Sequence, residues 1–393
     1  MWIKREIETF LPAIAVQRPS LILTGSRQTG KTSLLRHVFP NYNYVSLDLP
    51  SLAEEAEESG EMFLKKNLRP LIVDEVQYAP KLLHYIKRVI DEERERNGQY
   101  CLTGSQKFSL MEKVSESLAG RTAILQCHSL SAREYAAWKQ KQFDPEFLLE
   151  WIVLGGYPEL HAKSLDPGRF YADYLATYLE RDVMQILQVK SLRDFDRFLR
   201  LCAVRSGQLL AYNSLAADVG VSPNTIKSWV SILEMSNVIY LLEPYYQNLG
   251  KRIVKTPKIY FLDTGLASFL AGIRSSNDLK SSQLLGPFFE THVLGQILRH
   301  FANQGKRADI YFYRDHHGHE VDFLIPVGES VQLIECKWSE RPSLEIKGFQ
   351  EILKLIGPKR ILSQTLIVPV PGHRTTQVGI TVEDSIELKS LKK

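Results

Sequence analysis

Eight consecutive residues carry the densest chemistry in the sequence: Gly25-Ser26-Arg27-Gln28-Thr29-Gly30-Lys31-Thr32 sets two glycines, a lysine and a hydroxyl at the spacing of a phosphate cradle. Glycine lets successive backbone N–H groups turn toward one anion, and a helix beginning at the loop adds the positive end of its dipole. Lys31 would reach the β and γ oxygens of a nucleotide, and the Thr32 hydroxyl would ligate Mg²⁺. Gly25, Ser26, Arg27, Gln28, Thr29, Gly30, Lys31, Thr32 and Ser33 are therefore the expected contacts of ATP.

Three other sets of residues could do chemistry. Leu71-Ile72-Val73-Asp74-Glu75 is an apolar run closed by two carboxylates, where Asp74 would join the Mg²⁺ shell and Glu75 would polarise the attacking water. Tyr100-Cys101-Leu102-Thr103-Gly104-Ser105 ends in small polar residues; Ser105 is the expected sensor of the γ-phosphate, with Thr103 the alternative. Far along the chain, Glu320-Val321-Asp322 and Glu335-Cys336-Lys337 alternate charge with apolar residues. In strands Glu320 shares a face with Asp322, and Glu335 with Lys337. Charges on an inward face must pair or bind a metal, and an ion-pair cluster of Lys337 with Asp322 and Glu335 is the structural alternative to a metal site. His316, His317 and His319 fall at a hairpin tip and are read as solvated side chains.

The elements that must position these residues follow from pattern. Leu21-Ile22-Leu23-Thr24 reads as a buried strand feeding the glycine loop, and Ser33 to Val38 has helical spacing. From about Gln126 to Val189 aromatic and aliphatic residues recur at helical spacing, interrupted at Gly155-Gly156-Tyr157-Pro158. Leu215 to Val219 reads as a short helix, Gly220 as a turn, and Ser222-Pro223 as an N-cap with proline in the first turn of a helix reaching Met235. Val238 to Leu242 follows as a strand, Pro244 to Gly250 as a wing and Arg252-Ile253-Val254 as its return. In such a winged helix-turn-helix Asn224, Thr225, Lys227 and Ser228 would face a DNA groove, and Lys251 and Arg252 would touch phosphates. A purely structural three-helix unit would show the same grammar. Glu290 lies in a helical pattern from Gly286 to Leu298; strands are expected over Ile310 to Tyr313, Glu320 to Ile325 and Val331 to Lys337, then a helix over Ser343 to Ile356 and a strand over Thr365 to Val368.

The glycine loop, the Asp74-Glu75 strand and Leu118-Ala119-Gly120-Arg121-Thr122 together resemble the AAA-type ATPases. That resemblance implies for Arg121 the role of a finger or second sensor acting on a neighbouring subunit's nucleotide, with Arg133 and Arg181 as weaker candidates. The set formed by Asp322 and Glu335-Cys336-Lys337 resembles the PD-(D/E)xK nuclease fold, although Val321 stands where the proline of that motif would be. It implies that Asp322 and Glu335 hold Mg²⁺ or Mn²⁺, that Glu290 completes the shell, and that Lys337 positions the water or steadies the phosphate. Over essentially the whole chain the motifs resemble an uncharacterised bacterial and archaeal family that pairs an N-terminal AAA domain with a C-terminal domain of unknown function.

Composition bounds these readings. A chain of 393 residues with 44% hydrophobic and 24% charged residues is long enough for two or three packed domains. The expected fold is α/β: an AAA-type P-loop core over 1–130, a helical connector over 131–190, a winged helix over 191–275 and a restriction-endonuclease-like α/β domain over 276–393. The formal charge of +4 permits but does not demand phosphate-rich partners. Four scattered cysteines without CxxC pairs suggest neither zinc nor disulfides. No apolar run approaches the ~18 residues of a membrane span, and Met1 to Ile7 has no signal-peptide core, so a cytoplasmic protein without membrane contact is expected. The expected function is ATP hydrolysis by a DNA-associated homo-oligomer, ring or helical, with nucleotide state controlling the two distal domains. The alternative is a regulatory or scaffolding ATPase that binds a protein partner and cuts nothing.

Overall fold

The computed structural model of the chain describes residues 2–104, 117–179, 191–245 and 254–391. Ser105, Arg181, Lys251 and Arg252 lie outside the described residues.

The apolar run before the glycine loop forms β1 (Ser20–Thr24), buried along its whole length. It belongs to a sheet with β2 (Asn43–Ser46), β3 (Leu71–Asp74), β4 (Tyr100–Gly104) and β5 (Thr122–Gln126), all parallel, in the order β2-β3-β4-β1-β5. Strands covered on both faces must be apolar on both. Ile22, Val73 and Leu102 accordingly pack with Phe63, Leu83 and Ile86 on one side, and Leu21, Leu23 and Ile72 with Leu34, Leu35 and Leu11 on the other. Because β4 separates β1 from β3, the carboxyl ends of these three strands bring the glycine loop, Asp74 and Thr103 to one edge of the sheet.

Helices Ala132–Lys139, Pro145–Leu154 and Pro167–Tyr174 follow β5. Next come helices Leu192–Val204, Tyr212–Val219 and Pro223–Met235 with a small antiparallel sheet of β6 (Gln208–Leu209), β7 (Ile239–Leu242) and β8 (Lys258–Phe261), ordered β6-β8-β7. Ser222 caps the last helix, its Oγ accepting from the Thr225 N–H at 3.1 Å, with Pro223 in the first turn. Of the expected return, Arg252 and Ile253 lie outside the described residues; β7 pairs with Lys258–Phe261, and the Val254 N–H donates to the Arg314 carbonyl at 3.2 Å. Ile259, Tyr260 and Phe261 are the residues of this segment able to fill the core, which decides the pairing.

The C-terminal sheet contains β9 (Tyr311–Arg314), β10 (Glu320–Val327), β11 (Ser330–Cys336), β12 (Ile361–Val368), β13 (His373–Thr375) and β14 (Thr381–Asp384) in the order β13-β14-β12-β11-β10-β9. It is mixed: β10 runs antiparallel to both β9 and β11, and β13 to β14, whereas β11, β12 and β14 run parallel. Against β9 the register of β10 slips by one between Val321 and Leu324, a bulge at Asp322-Phe323. Bulges re-aim side chains beside functional sites. Helix Leu285–Ala302, with Phe288, Phe289, Val293 and Ile297 buried, packs beside this sheet, and the expected C-terminal helix is shorter, Lys347–Ile356. Strands β13 and β14 have no counterpart in the sequence-based expectation. Among the described residues no helix is long and apolar enough to cross a membrane.

One apolar cluster runs through Leu130, Trp151, Tyr171, Phe198, Trp229, Tyr260, Phe289 and Leu391. The helices and strands after the first sheet therefore share much of one interior, which crosses the changes of pattern near residues 190 and 275, while Tyr313, Val321, Leu333, Phe349 and Leu366 form a separate cluster in the C-terminal sheet. Phe289→Ala, which empties a fully buried position of that cluster, should cost about 3–5 kcal/mol. Calorimetry should show the middle and C-terminal regions unfolding together, at a lowered temperature, in one transition.

Candidate nucleotide site and C-terminal charged cluster

The loop after β1 requires its glycines. Gly25 has φ +151°, and a Cβ there would stand 2.1 Å from the Cys127 carbonyl oxygen; Gly30, at φ +87°, is the left-handed cap that starts helix Lys31–Val38. The buried Lys31 ammonium donates to the carbonyl oxygens of Gly25 at 3.0 Å and Ser26 at 2.9 Å. Burial pushes the Lys31 pKa down, against the attraction of Glu75 and Asp74. Thr29 is fully buried, its Oγ1 donating to the Ser26 carbonyl, and its own carbonyl accepts from Arg5 Nη1 at 3.1 Å. Arg27 reaches the Tyr78 hydroxyl at 3.4 Å.

At the end of β3, Asp74 is held from two strands and a helix. Its Oδ1 accepts from Thr32 Oγ1 at 2.7 Å and from Thr103 Oγ1, and its Oδ2 from the Tyr44 hydroxyl at 3.1 Å. Glu75 leaves the strand in the left-handed region, φ 55° and ψ 47°, with its N–H donating to Thr103 Oγ1 at 3.0 Å and its Oε2 accepting from Gln77. Non-glycine residues held in that region cluster at functional sites. Between the two sensor candidates, Thr103 is the one the described structure places, buried between Asp74 and the Glu75 backbone. Tyr44, Gln77 and Arg5 were not singled out in the sequence; Asp74 and the loop draw in Tyr44 and Arg5 from elements whose pairing only the fold reveals, and Gln77 binds the neighbouring Glu75.

Arg121 is not brought to this site. Its carbonyl accepts from the Ser20 N–H at the start of β1, the opposite end of the strand, roughly 15 Å from the loop at about 3.3 Å per residue. Its guanidinium is paired in two bonds of 2.6 and 3.0 Å with Asp91. Arg133 pairs with Glu6 at 3.4 Å.

The C-terminal acidic residues converge. Glu290, Glu320 and Asp322 each offer an oxygen, all within 4.8 Å of one another. The bulge and register set Asp322 beside β11, where its Oδ2 accepts from the Cys336 N–H at 2.8 Å. Glu335 Oε1 pairs with Lys337 at 2.7 Å, while its Oε2 is buried without a hydrogen-bond partner. A residue absent from the sequence-based set dominates the centre: Lys258 of β8, 2% exposed, donates to Glu290 Oε1 at 2.8 Å and also contacts Glu320 Oε1. The Tyr260 hydroxyl donates to the same Glu290 oxygen, and Arg314 holds Glu320 Oε2 at 2.9 Å. Glu290 thus meets a lysine and a phenol while keeping an oxygen within 4.8 Å of those of Glu320 and Asp322. Lys337 pairs with Glu335 alone among the hydrogen-bonded carboxylates, and Lys258 brings a second ammonium to the cluster. A strand beginning with lysine after a proline gives no signal that the ammonium turns inward.

Burial works against the charge of Lys258, but Glu290, Asp322 and Glu320 outweigh it and hold its pKa above the ordinary value. Burial, then Glu290 and Glu335, push the Asp322 carboxyl well above the carboxylate range; burial also raises Glu335, against the pull of Lys337. At the hairpin tip His319 Nδ1 pairs with Asp315 at 2.9 Å, and among the described residues no histidine joins a metal-sized cluster.

Residues 17–136 match a family described as an AAA domain, and residues 145–277 and 285–386 match two domains of unknown function, DUF8612 and DUF4143. An uncharacterized protein of Mycobacterium tuberculosis is 28% identical over 328 residues, 83% of this chain and 72% of its own length. Another, from Methanocaldococcus jannaschii, is 24% identical over 302 residues, covering 64% and 62%. Among solved structures a Walker-type ATPase of Pyrococcus abyssi aligns at 16% identity with a TM-score of 0.43, covering 68% of this chain and 96% of that one.

An acid whose folded pKa is raised binds its proton more tightly in the native state, so its ionisation removes stability as pH rises from the ordinary carboxyl value toward the folded one. Asp322→Asn cannot ionise. With chelator present, its melting temperature should match or trail wild type near about pH 4 and exceed it progressively toward about pH 8. A difference independent of pH would mean that Asp322 is not held this way.

Proposed function

We propose that this chain, whose N-terminal part is an AAA-type P-loop ATPase domain, hydrolyses ATP and uses nucleotide state to control a winged-helix region and a nuclease-like C-terminal region. The observation that carries the hydrolytic reading is the 2.7 Å bond between Thr32 Oγ1 and Asp74 Oδ1. It joins a hydroxyl and a carboxylate oxygen at the mouth of the loop, a donor set that fits a hard cation such as Mg²⁺. Bound there, Mg²⁺ would supply Lewis-acid stabilisation of phosphate charge. Lys31 would exchange its bonds to the loop carbonyls for phosphate oxygens, and the loop N–H groups would orient them. Glu75 would accept the proton of the attacking water, with Thr103 fixing both the Glu75 backbone and Asp74. Arg121, remote from its own loop, would act on the nucleotide of a neighbouring copy once released from Asp91.

For the distal regions, exposed Asn224, Lys227 and Ser228 on a capped helix support DNA contact. The mixed sheet with Asp322, Glu335 and Lys337 at adjacent strand ends supports a nuclease-like site. The orphaned Glu335 Oε2 fits a cation beside Asp322. A second reading is favoured by Lys258: with its ammonium on Glu290 and Glu320, the cluster is a structural ion-pair lock and the region binds rather than cuts.

Glu75→Gln should retain ATP affinity and lose most turnover, about 10²-fold or more for a lost general base, whereas Lys31→Ala should weaken both. A phosphate-release assay with unchanged turnover in Glu75→Gln would remove the assignment of the base. The two readings of the C-terminal region separate on metal titration. Under the first, Mn²⁺ or Mg²⁺ raises the wild-type melting temperature, Asp322→Asn abolishes the gain and DNA is nicked. Under the second, wild type shows neither effect, and only Lys258→Met, which frees two carboxylates, acquires metal-dependent stability.

A further inference from the structure

Thr29 is the loop residue whose carbonyl leaves the cradle for a charged partner. Arg5, 4% exposed, directs Nη1 to that carbonyl at 3.1 Å, Nη2 to the His128 carbonyl at 2.8 Å and Nε to Glu134 at 3.2 Å. Each donor of the fork therefore meets a different element: the loop, the chain leaving β5, and the first turn of helix Ala132–Lys139. Glu134 is itself fixed, accepting from the backbone N–H groups of Ser131 and Glu6 at 2.7 Å each. The segment leaving β5 is fixed from its other side by Arg299 of helix Leu285–Ala302, which donates to the Ser129 carbonyl at 3.0 Å and to Ser129 Oγ at 2.7 Å. A loop braced through Arg5 is thus braced against the buried interior of the whole molecule.

The peptide bond is planar and trans, so the Thr29 C=O and the Gly30 N–H point in opposite directions. Drawing the carbonyl outward to a guanidinium turns the next N–H inward. Gly30, at φ +87°, has no side chain to oppose that orientation.

We propose that Arg5 is a positioning residue of the nucleotide site: its guanidinium fixes the Thr29–Gly30 peptide so that the Gly30 N–H faces the phosphates. This inference rests on the ATP-binding reading above. Lysine cannot replace the fork, because one ammonium has a single position from which to reach the Thr29 and His128 carbonyls and Glu134, whereas guanidinium donors diverge in a fixed plane. An N–H that contacts phosphate throughout the reaction contributes to ground and transition states alike, so its loss raises KM more than it lowers kcat.

The test uses the full-length chain with steady-state ATPase assays and titration of a fluorescent ATP analogue. Arg5→Met should raise both KM and the dissociation constant by about tenfold or more, as expected for hydrogen bonds to a charged donor, with kcat changed much less. Arg5→Lys should recover part of the affinity. If Arg5 serves stability alone, both variants melt earlier yet bind ATP with the wild-type constant, and the proposal is overturned. Should Arg5→Met fail to fold, Arg5→Lys decides by the same criterion, since it keeps charge and length. Wild type that does not bind the analogue would instead overturn the ATP reading itself, a different result from variants that bind normally.

Discussion

Arg299 is buried beyond the reach of water, and its N–H groups must find protein acceptors. They find them on separate parts of the chain: the Ser129 carbonyl and hydroxyl just after the first sheet, the Leu262 carbonyl just after β8, and the Gly295 carbonyl on its own helix. Ser129 Oγ passes its proton contact on to Asp263, whose oxygens also accept from the Gly156 N–H, the Tyr171 hydroxyl and the N–H groups of Gly265 and Leu266. Removing one partner from such a network leaves an uncompensated buried charge, at a cost of about 3–5 kcal/mol. The position of the nucleotide-binding sheet relative to the rest of the chain depends on this junction. So does Arg5, which grips the same Ser129 segment from the loop side.

The two charged sites handle burial differently. Around the glycine loop, Lys31 is satisfied by carbonyls that it can exchange for phosphate, and Asp74 is satisfied by three hydroxyls. Neutral partners can be surrendered to a ligand without stranding a charge. Around Glu290 and Glu320 the partner is an ammonium, Lys258, carried by a strand that also lies in the small middle sheet. Displacing it would leave a buried cation, so cation binding there and the seating of β8 are thermodynamically opposed. Asp322 and the Glu335 oxygen that lacks a hydrogen-bond partner lie beside that contact.

Legibility varied with how local the governing constraint is. The loop from Gly25 to Thr32, the Asp74-Glu75 strand end and the Ser222-Pro223 cap are set by neighbours a few residues apart, and they stand in the structure where the sequence puts them. Glu320 with Asp322, and Glu335 with Lys337, share faces because a strand repeats every two residues. The partner of β7, Lys258 to Phe261, was not foreseen because a short apolar segment carries no mark of which strand it pairs with, and burial of Ile259, Tyr260 and Phe261 favours that pairing. Strands β13 and β14 are short, and β13 is exposed throughout, so no hydrophobic pattern announces them.

The phosphate loop, the carboxylates at two strand ends and the mixture of helix and strand can be read from local sequence, because glycine conformations, side-chain periodicity and caps act over a few residues. Packing of the layers was needed to set Thr103 on Asp74, to pair Arg121 with Asp91 at the far end of the sheet, and to bring Lys258 into the acidic cluster. It alone brought Arg5 to Thr29, across 24 positions of chain, and Arg299 to Ser129, across 170. The physical reason is common to all of these. A buried charge must be matched by whichever group the packed layers deliver to it, and chain order places no restriction on which group that is.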